Sequence, residues 1–177
     1  MTDKTLGELG LTAQSGDSRA RITAITLDSR AVRPGTLFAA LPGSRVHGAE
    51  FIDPALRMGA SAILTDRQGV QIAAETLARH PQAALVVAED ARAALAMAAA
   101  LYHGAQPAVM AAVTGTNGKT SVASFTRQLW TALGYAAINV GTTGVEGAWG
   151  MPLAHTTPDA VTLQSLLAQA AAAGVTH

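Results

Sequence analysis

Apolar and polar positions follow two rhythms along this chain. Alternation or a short solid apolar run marks a strand, and spacings of three and four mark a helix. Residues 22–28, "ITAITLD", partly alternate and predict a strand. A Pro34-Gly35 turn follows, and Leu37 to Leu41 predicts a second short strand. "FIDPALRMGASAILTD" predicts a helix carrying Ala55, Leu56 and Met58, ending near Gly59, and then a strand over Ala62 to Leu64. That is a βαβ rhythm. Ala83 to Asp90 reads as a buried strand, with Asp90 placed to cap a helix from Ala91 to about Tyr102. "HGAQP", residues 103–107, stops that helix and divides the chain into domains 1–106 and 107–177.

Beyond the break, "AVMAAV" predicts a new strand. From Lys119 onward, Val122, Phe125, Leu129, Trp130 and Leu133 share one helical face, and Gly134 ends the helix. "AAINV" predicts the next strand. Residues 160–173 predict a helix with Val161, Leu163, Leu166, Leu167 and Ala170 on its apolar face. After Gly174, "VTH" opens one more strand. The fold class is α/β: a small N-terminal α/β domain, then the start of a P-loop-type parallel-sheet domain. A parallel sheet needs several strands and cover on both faces. The second domain is therefore expected to be incomplete within these residues.

Composition narrows the function classes. The 177 residues are 49% hydrophobic and 14% charged, enough apolar material for a core. Twelve basic residues balance twelve acidic ones, which argues against nucleic-acid binding through a basic surface. There is no cysteine, so disulfides, zinc–cysteine sites and thiol nucleophiles are excluded. The N-terminus has no long apolar signal region, and the longest apolar run, Ala93 to Leu101, is too short to span a bilayer. A cytoplasmic protein that engages neither membrane nor nucleic acid is expected.

The candidate chemistry centres on "VTGTNGKTS", residues 113–121. Glycines and small polar residues between a strand and a helix let backbone N–H groups converge on an anion, and the helix N-terminus adds partial positive charge. Lys119 is placed to reach β/γ-phosphate oxygens, and Thr120 to ligate Mg²⁺. Asn117 tolerates the left-handed conformation of a tight turn. The Walker pattern puts a glycine five residues before the Gly-Lys pair; here Val113 stands there, and the first glycine is Gly115. After Thr120 the only acids are Glu146 and Asp159, and neither ends a clear apolar strand as a Walker B acid does. Either the metal's carboxylate lies past His177 or no metal is needed.

The spacing Gly115-Thr116-Asn117-Gly118-Lys119 resembles the ATP loop of the Mur ligases and their folylpolyglutamate synthetase relatives. "LDSRAVRPGTLFAALPG", residues 27–43, resembles the uridine-diphosphate-binding segment of E-type and F-type Mur ligases. "GTTG" (141–144) and "HTTPD" (155–159) are similar to the E-type branch in particular. The resemblance implies a three-domain enzyme of peptidoglycan synthesis, of which this chain holds the first domain and part of the second, with the C-terminal domain absent. That enzyme joins UDP-N-acetylmuramoyl-L-alanyl-D-glutamate to a diamino acid, meso-diaminopimelate or L-lysine. ATP phosphorylates a carboxylate, and the incoming amine displaces phosphate from the acyl phosphate. Small-molecule substrates, ATP with Mg²⁺ and a monomeric state are implied, as is inactivity of these 177 residues alone.

Carried over residue by residue, Leu27 and Ser29 contact the uridine end of the substrate. Ser44, Arg45 and Val46 contact the nucleotide, although they depart from the His-Gln form expected there. Gly115, Thr116, Asn117, Gly118, Lys119, Thr120 and Ser121 bind ATP, with Lys119 in the catalytic role and Thr120 on the metal. His155, Thr156 and Thr157 meet the muramoyl-peptide part. Without the resemblance, Ser29 is a turn residue after a strand, Arg30 a surface or ion-paired residue, and Thr156-Thr157 a helix-capping segment beside Pro158 and Asp159. The remaining histidines show no ligand spacing and read as structural or solvated. Other readings are an F-type ligase, a non-catalytic nucleotide or UDP-sugar binding module, and a P-loop kinase or GTPase. Val113 and the missing Walker B acid count against the last.

Overall fold

A computed structural model describes residues 3–153 and 158–177. The chain divides into two compact units, Met1–Tyr102 and His103–His177.

In the first unit, β3 (Ala24–Thr26), β4 (Thr36–Ala39), β5 (Ala60–Thr65) and β6 (Ala84–Val87) form a parallel sheet whose spatial order equals chain order. Each parallel step needs a crossover. Helix α1 (Ile52–Arg57) makes one, between β4 and β5, and α2 (Arg67–Ile72) with α3 (Ala74–Arg79) makes the next. Ile52, Ala55, Leu56 and Ala73 pack with Phe38 and Ile63 in one apolar cluster, so these crossovers cover one face of the sheet. The alternate positions Leu37, Ala39, Ala62, Leu64, Ala84 and Val86 are buried as well, as a doubly covered parallel sheet requires. Helix α4 (Ala91–His103) follows, with Leu95, Ala98 and Ala99 buried; the Asp90 carboxylate accepts the Ala93 N–H at 2.9 Å, the cap its sequence predicts.

The outer edge of β6 is covered. Leu85 N–H donates to Ser15 O, and Gln14 N–H donates to Leu85 O. Gly16, next in line, has φ +77°, and a Cβ there would lie 2.0 Å from the Ala83 carbonyl oxygen. The run 22–28 is not one strand. Ile22 belongs to β2 (Arg21–Ile22), which pairs antiparallel with β1 (Lys4–Thr5). After β3, Asp28 caps a short 3-10 turn over Ser29–Ala31.

In the second unit, α5 (Lys119–Ala132) and α6 (Ala160–Ala172) accompany a hairpin of β7 (Ile138–Gly141) and β8 (Gly144–Gly147). "GTTG" is that hairpin's turn. Ile138, Val145, Leu166, Ala170 and Val175 form the unit's core. The closing "VTH" is not a strand, although it carries backbone bonds on both sides: Thr176 accepts from Val109 N–H and donates to Ala136 O, and His177 O accepts from Ile138 N–H.

Two further sequence expectations fail in this unit. "AVMAAV" is not a strand: Val109, Met110 and Val113 are exposed, and among the described residues the Val109–Thr176 bond is the one ladder contact given to it. A strand exists only through its neighbours, and this run has a neighbour at one end. The apolar face of α5 is not core either. Val122, Phe125, Leu129 and Leu133 are 50–66% exposed. Periodicity reports that a face needs a partner, and no described element of this unit covers it.

Candidate functional site

The described residues singled out by sequence fall at two places, one in each unit. The first lies at the C-terminal edge of the parallel sheet, where open α/β sheets bind ligands. Leu27 and Ser29, both half-buried, lie in the turn after β3. That turn is fixed by Asp28, whose Oδ1 accepts the Arg30 N–H at 3.0 Å. The Arg30 guanidinium forks onto both Asp28 oxygens at 2.9 Å each. This side-chain hydrogen bond, with the backbone bond beside it, holds the Asp28 carboxyl below its ordinary range.

Ser44, Arg45 and Val46 are exposed at the tip of the loop after β4. The loop closes on itself: Gly43 N–H donates to Val46 O at 3.1 Å, and Gly48 N–H to Leu41 O at 2.8 Å. β3 and β4 are neighbours in register, Thr26 beside Phe38, so the two loops leave the same edge of the sheet. Of the two readings of His47, structural or solvated, the structural one holds: it is buried and bonded to Asp66. Sequence reasoning missed its partner, and it missed Arg92, which donates to the Pro42 carbonyl. The position of His47 immediately after the loop segment was the available signal.

The second place is the loop into α5. Gly115 adopts φ +147° and Gly118 φ +79°, the region that favours glycine. Gly118 is the N-cap of α5 and has no side chain to satisfy the first-turn N–H groups, which therefore remain open to an anion. Lys119 Nζ donates to the carbonyls of Gly115 and Thr116, so the lysine folds back over its own loop. Thr116, Asn117, Thr120 and Ser121 are exposed around it. Open N–H groups, a cation over the loop and a hydroxyl at the second helical position fit a nucleotide's phosphates. Among the described residues no cluster of three histidine, aspartate or glutamate side chains could hold a metal ion. No described helix is long and apolar enough to cross a membrane. His155, Thr156 and Thr157 lie outside the described residues.

Known proteins give this geometry its context. Over 157 residues the chain is 48% identical to the UDP-N-acetylmuramoyl-L-alanyl-D-glutamate--2,6-diaminopimelate ligase of Brucella melitensis, covering 88% of this chain and 31% of that protein. The Rhizobium meliloti protein of the same name is 45% identical over 171 residues, covering 96% of this chain and 34% of its own length. A solved structure of a ligase of that name superposes with a TM-score of 0.74 at 26% identity, covering 99% of this chain and 35% of that one. The chain thus spans about a third of the length of the relatives it matches. Residues 21–112 match the Mur ligase family catalytic domain and residues 113–177 the Mur ligase middle domain, and the chain belongs to the Mur ligase family.

Proposed function

We propose that this chain is the substrate-binding unit and the opening of the ATP-binding unit of a ligase that joins 2,6-diaminopimelate to UDP-N-acetylmuramoyl-L-alanyl-D-glutamate. One observation carries the reading: an open phosphate loop at the start of α5, in a chain 45–48% identical to ligases of that name. In this reading Leu27, Ser29 and Ser44 to Val46 hold the uridine diphosphate end, and His155, Thr156 and Thr157 meet the muramoyl peptide. Gly115 to Ser121 cradle ATP through backbone N–H groups.

A carboxylate is a poor electrophile, and ATP supplies the phosphoryl group that makes it a good one. Lys119 is the catalytic cation. Its ammonium exchanges two loop carbonyls for phosphate oxygens, where its charge counts for more. Thr120 Oγ is the hydroxyl that would hold Mg²⁺. The enzyme acts as a cytoplasmic monomer, and the 177 residues alone have no ligase activity.

Calorimetry with the 177-residue chain tests this. ATP with Mg²⁺ and UDP should each bind, and Lys119→Ala should weaken ATP by about tenfold or more, the scale of one charge-assisted hydrogen bond, while leaving UDP untouched. Equal ATP affinity in the variant would remove Lys119 from the site. Phosphate release by this chain with ATP, the UDP-muramoyl dipeptide and diaminopimelate would contradict its incompleteness.

A further inference from the structure

The turn that carries Ser44, Arg45 and Val46 rests on His47, a side chain that the function proposed above does not use. The imidazole is only 7% exposed, although it follows an exposed tip. Both ring nitrogens are engaged. Nδ1 accepts the Ala49 N–H at 3.0 Å, so Nε2 carries the proton and donates to Asp66 Oδ1 at 3.2 Å. The same Asp66 oxygen accepts the Gly69 N–H at 2.7 Å and caps α2. Gly69 makes the room: a Cβ on it would lie 2.9 Å from His47 Cε1. One carboxylate thus ties the base of the loop to the start of a helix. From the other side, Arg92 near the start of α4 donates to the Pro42 carbonyl. A leucine at 47 would fill the same space without the desolvation that a buried polar pair incurs.

We propose that His47 is a positioning residue for a nucleoside diphosphate. By locking the loop 42–48 to Asp66, it presents Ser44 and Arg45 to the ligand in one fixed geometry. The inference rests on the reading of this edge as the uridine-diphosphate site. It places no charge on the histidine; the neutral ring, with one donor and one acceptor, is the form that fits both partners.

The test uses the 177-residue chain with UDP as the probe. His47→Asn keeps an acceptor for Ala49 but falls short of Asp66, and should weaken UDP binding about tenfold, the scale of one lost buried hydrogen bond. His47→Gln, which reaches Asp66, should recover most of the affinity. Asp66→Ala should match His47→Asn, and Asp66→Asn, which keeps an oxygen acceptor, should bind like the parent chain. Unchanged affinity in His47→Asn overturns the proposal. So does a global loss of melting temperature with faster amide exchange throughout the unit, which marks a packing residue. If the parent chain fails to bind UDP, the substrate reading of the edge falls. Amide exchange of Gly43 and Gly48 then decides the positioning role: faster exchange confined to the loop in His47→Asn supports it, and no change overturns it.

Discussion

Gly69 shows how little space the substrate edge leaves. In an exposed helix, glycine to alanine stabilises by about 1 kcal/mol. Here the new Cβ would meet Thr65 Oγ1 at 2.0 Å and His47 Cε1 at 2.9 Å. Thr65 cannot yield freely, because its buried hydroxyl donates to the Ala40 carbonyl at 2.7 Å. Gly69→Ala should therefore destabilise the first unit by about 1–3 kcal/mol in urea unfolding, against the propensity trend. At this scale sequence was a partial guide. Arg30 is ion-paired, one of its two expected states, because a fork two residues from an aspartate needs no tertiary partner. The His47–Asp66 bond spans 19 residues and depends on β5 bringing the start of α2 beside the loop. No local pattern encodes that meeting.

Elements with local signals were legible, and those needing distant neighbours were not. Helix α6 has both kinds of support. Asp159 accepts from Val161 N–H at 2.9 Å, Thr162 N–H at 3.0 Å and the Thr162 hydroxyl at 2.7 Å. Burial pushes its carboxyl upward, but these hydrogen bonds outweigh it and hold the group below its ordinary value. A depressed folded-state pKa means that the unfolded chain binds the proton more tightly. The stabilisation is present above the unfolded value, near 3.8, and is lost as pH falls through the folded one. Asp159→Ala should cost about 1 kcal/mol at neutral pH, Asp159→Asn much less, and the difference between parent and alanine variant should shrink in acid. Urea melts at pH 7 and pH 3 would show it; a difference independent of pH would mean that the charged cap contributes nothing. The α5 stripe and "AVMAAV" teach the converse. Their patterns mark surfaces that require a partner, without naming one. Phe125 and Leu129, both at least 60% exposed, should bind a hydrophobic dye, and replacing both with glutamate should abolish that signal without altering helix content.

For the whole chain, the two units differ in how far their apolar surface is covered. The first has a sheet buried on both faces, while the second leaves its longest helix apolar and open. Residues 1–102 should therefore fold alone and melt cooperatively, as followed by circular dichroism; a non-cooperative melt would show that the first unit depends on the second. The α/β class was legible because the βαβ rhythm is local, while the crossover helices α2 and α3 were not anticipated. Which apolar faces stay open was not legible, since burial is a property of neighbours.

Gln14 and Ser15, bonded along Leu85, have a bearing on solubility. A bare strand edge is a template for pairing with another chain, and parallel sheets are exposed to that hazard while they assemble. The segment before Gly16 occupies that template. Because it comes first in the chain and the strand it shields comes last in the sheet, the guard is already made when the edge appears. A valine at position 16 would lift it away, and the expected product is an aggregate of otherwise well-formed sheets.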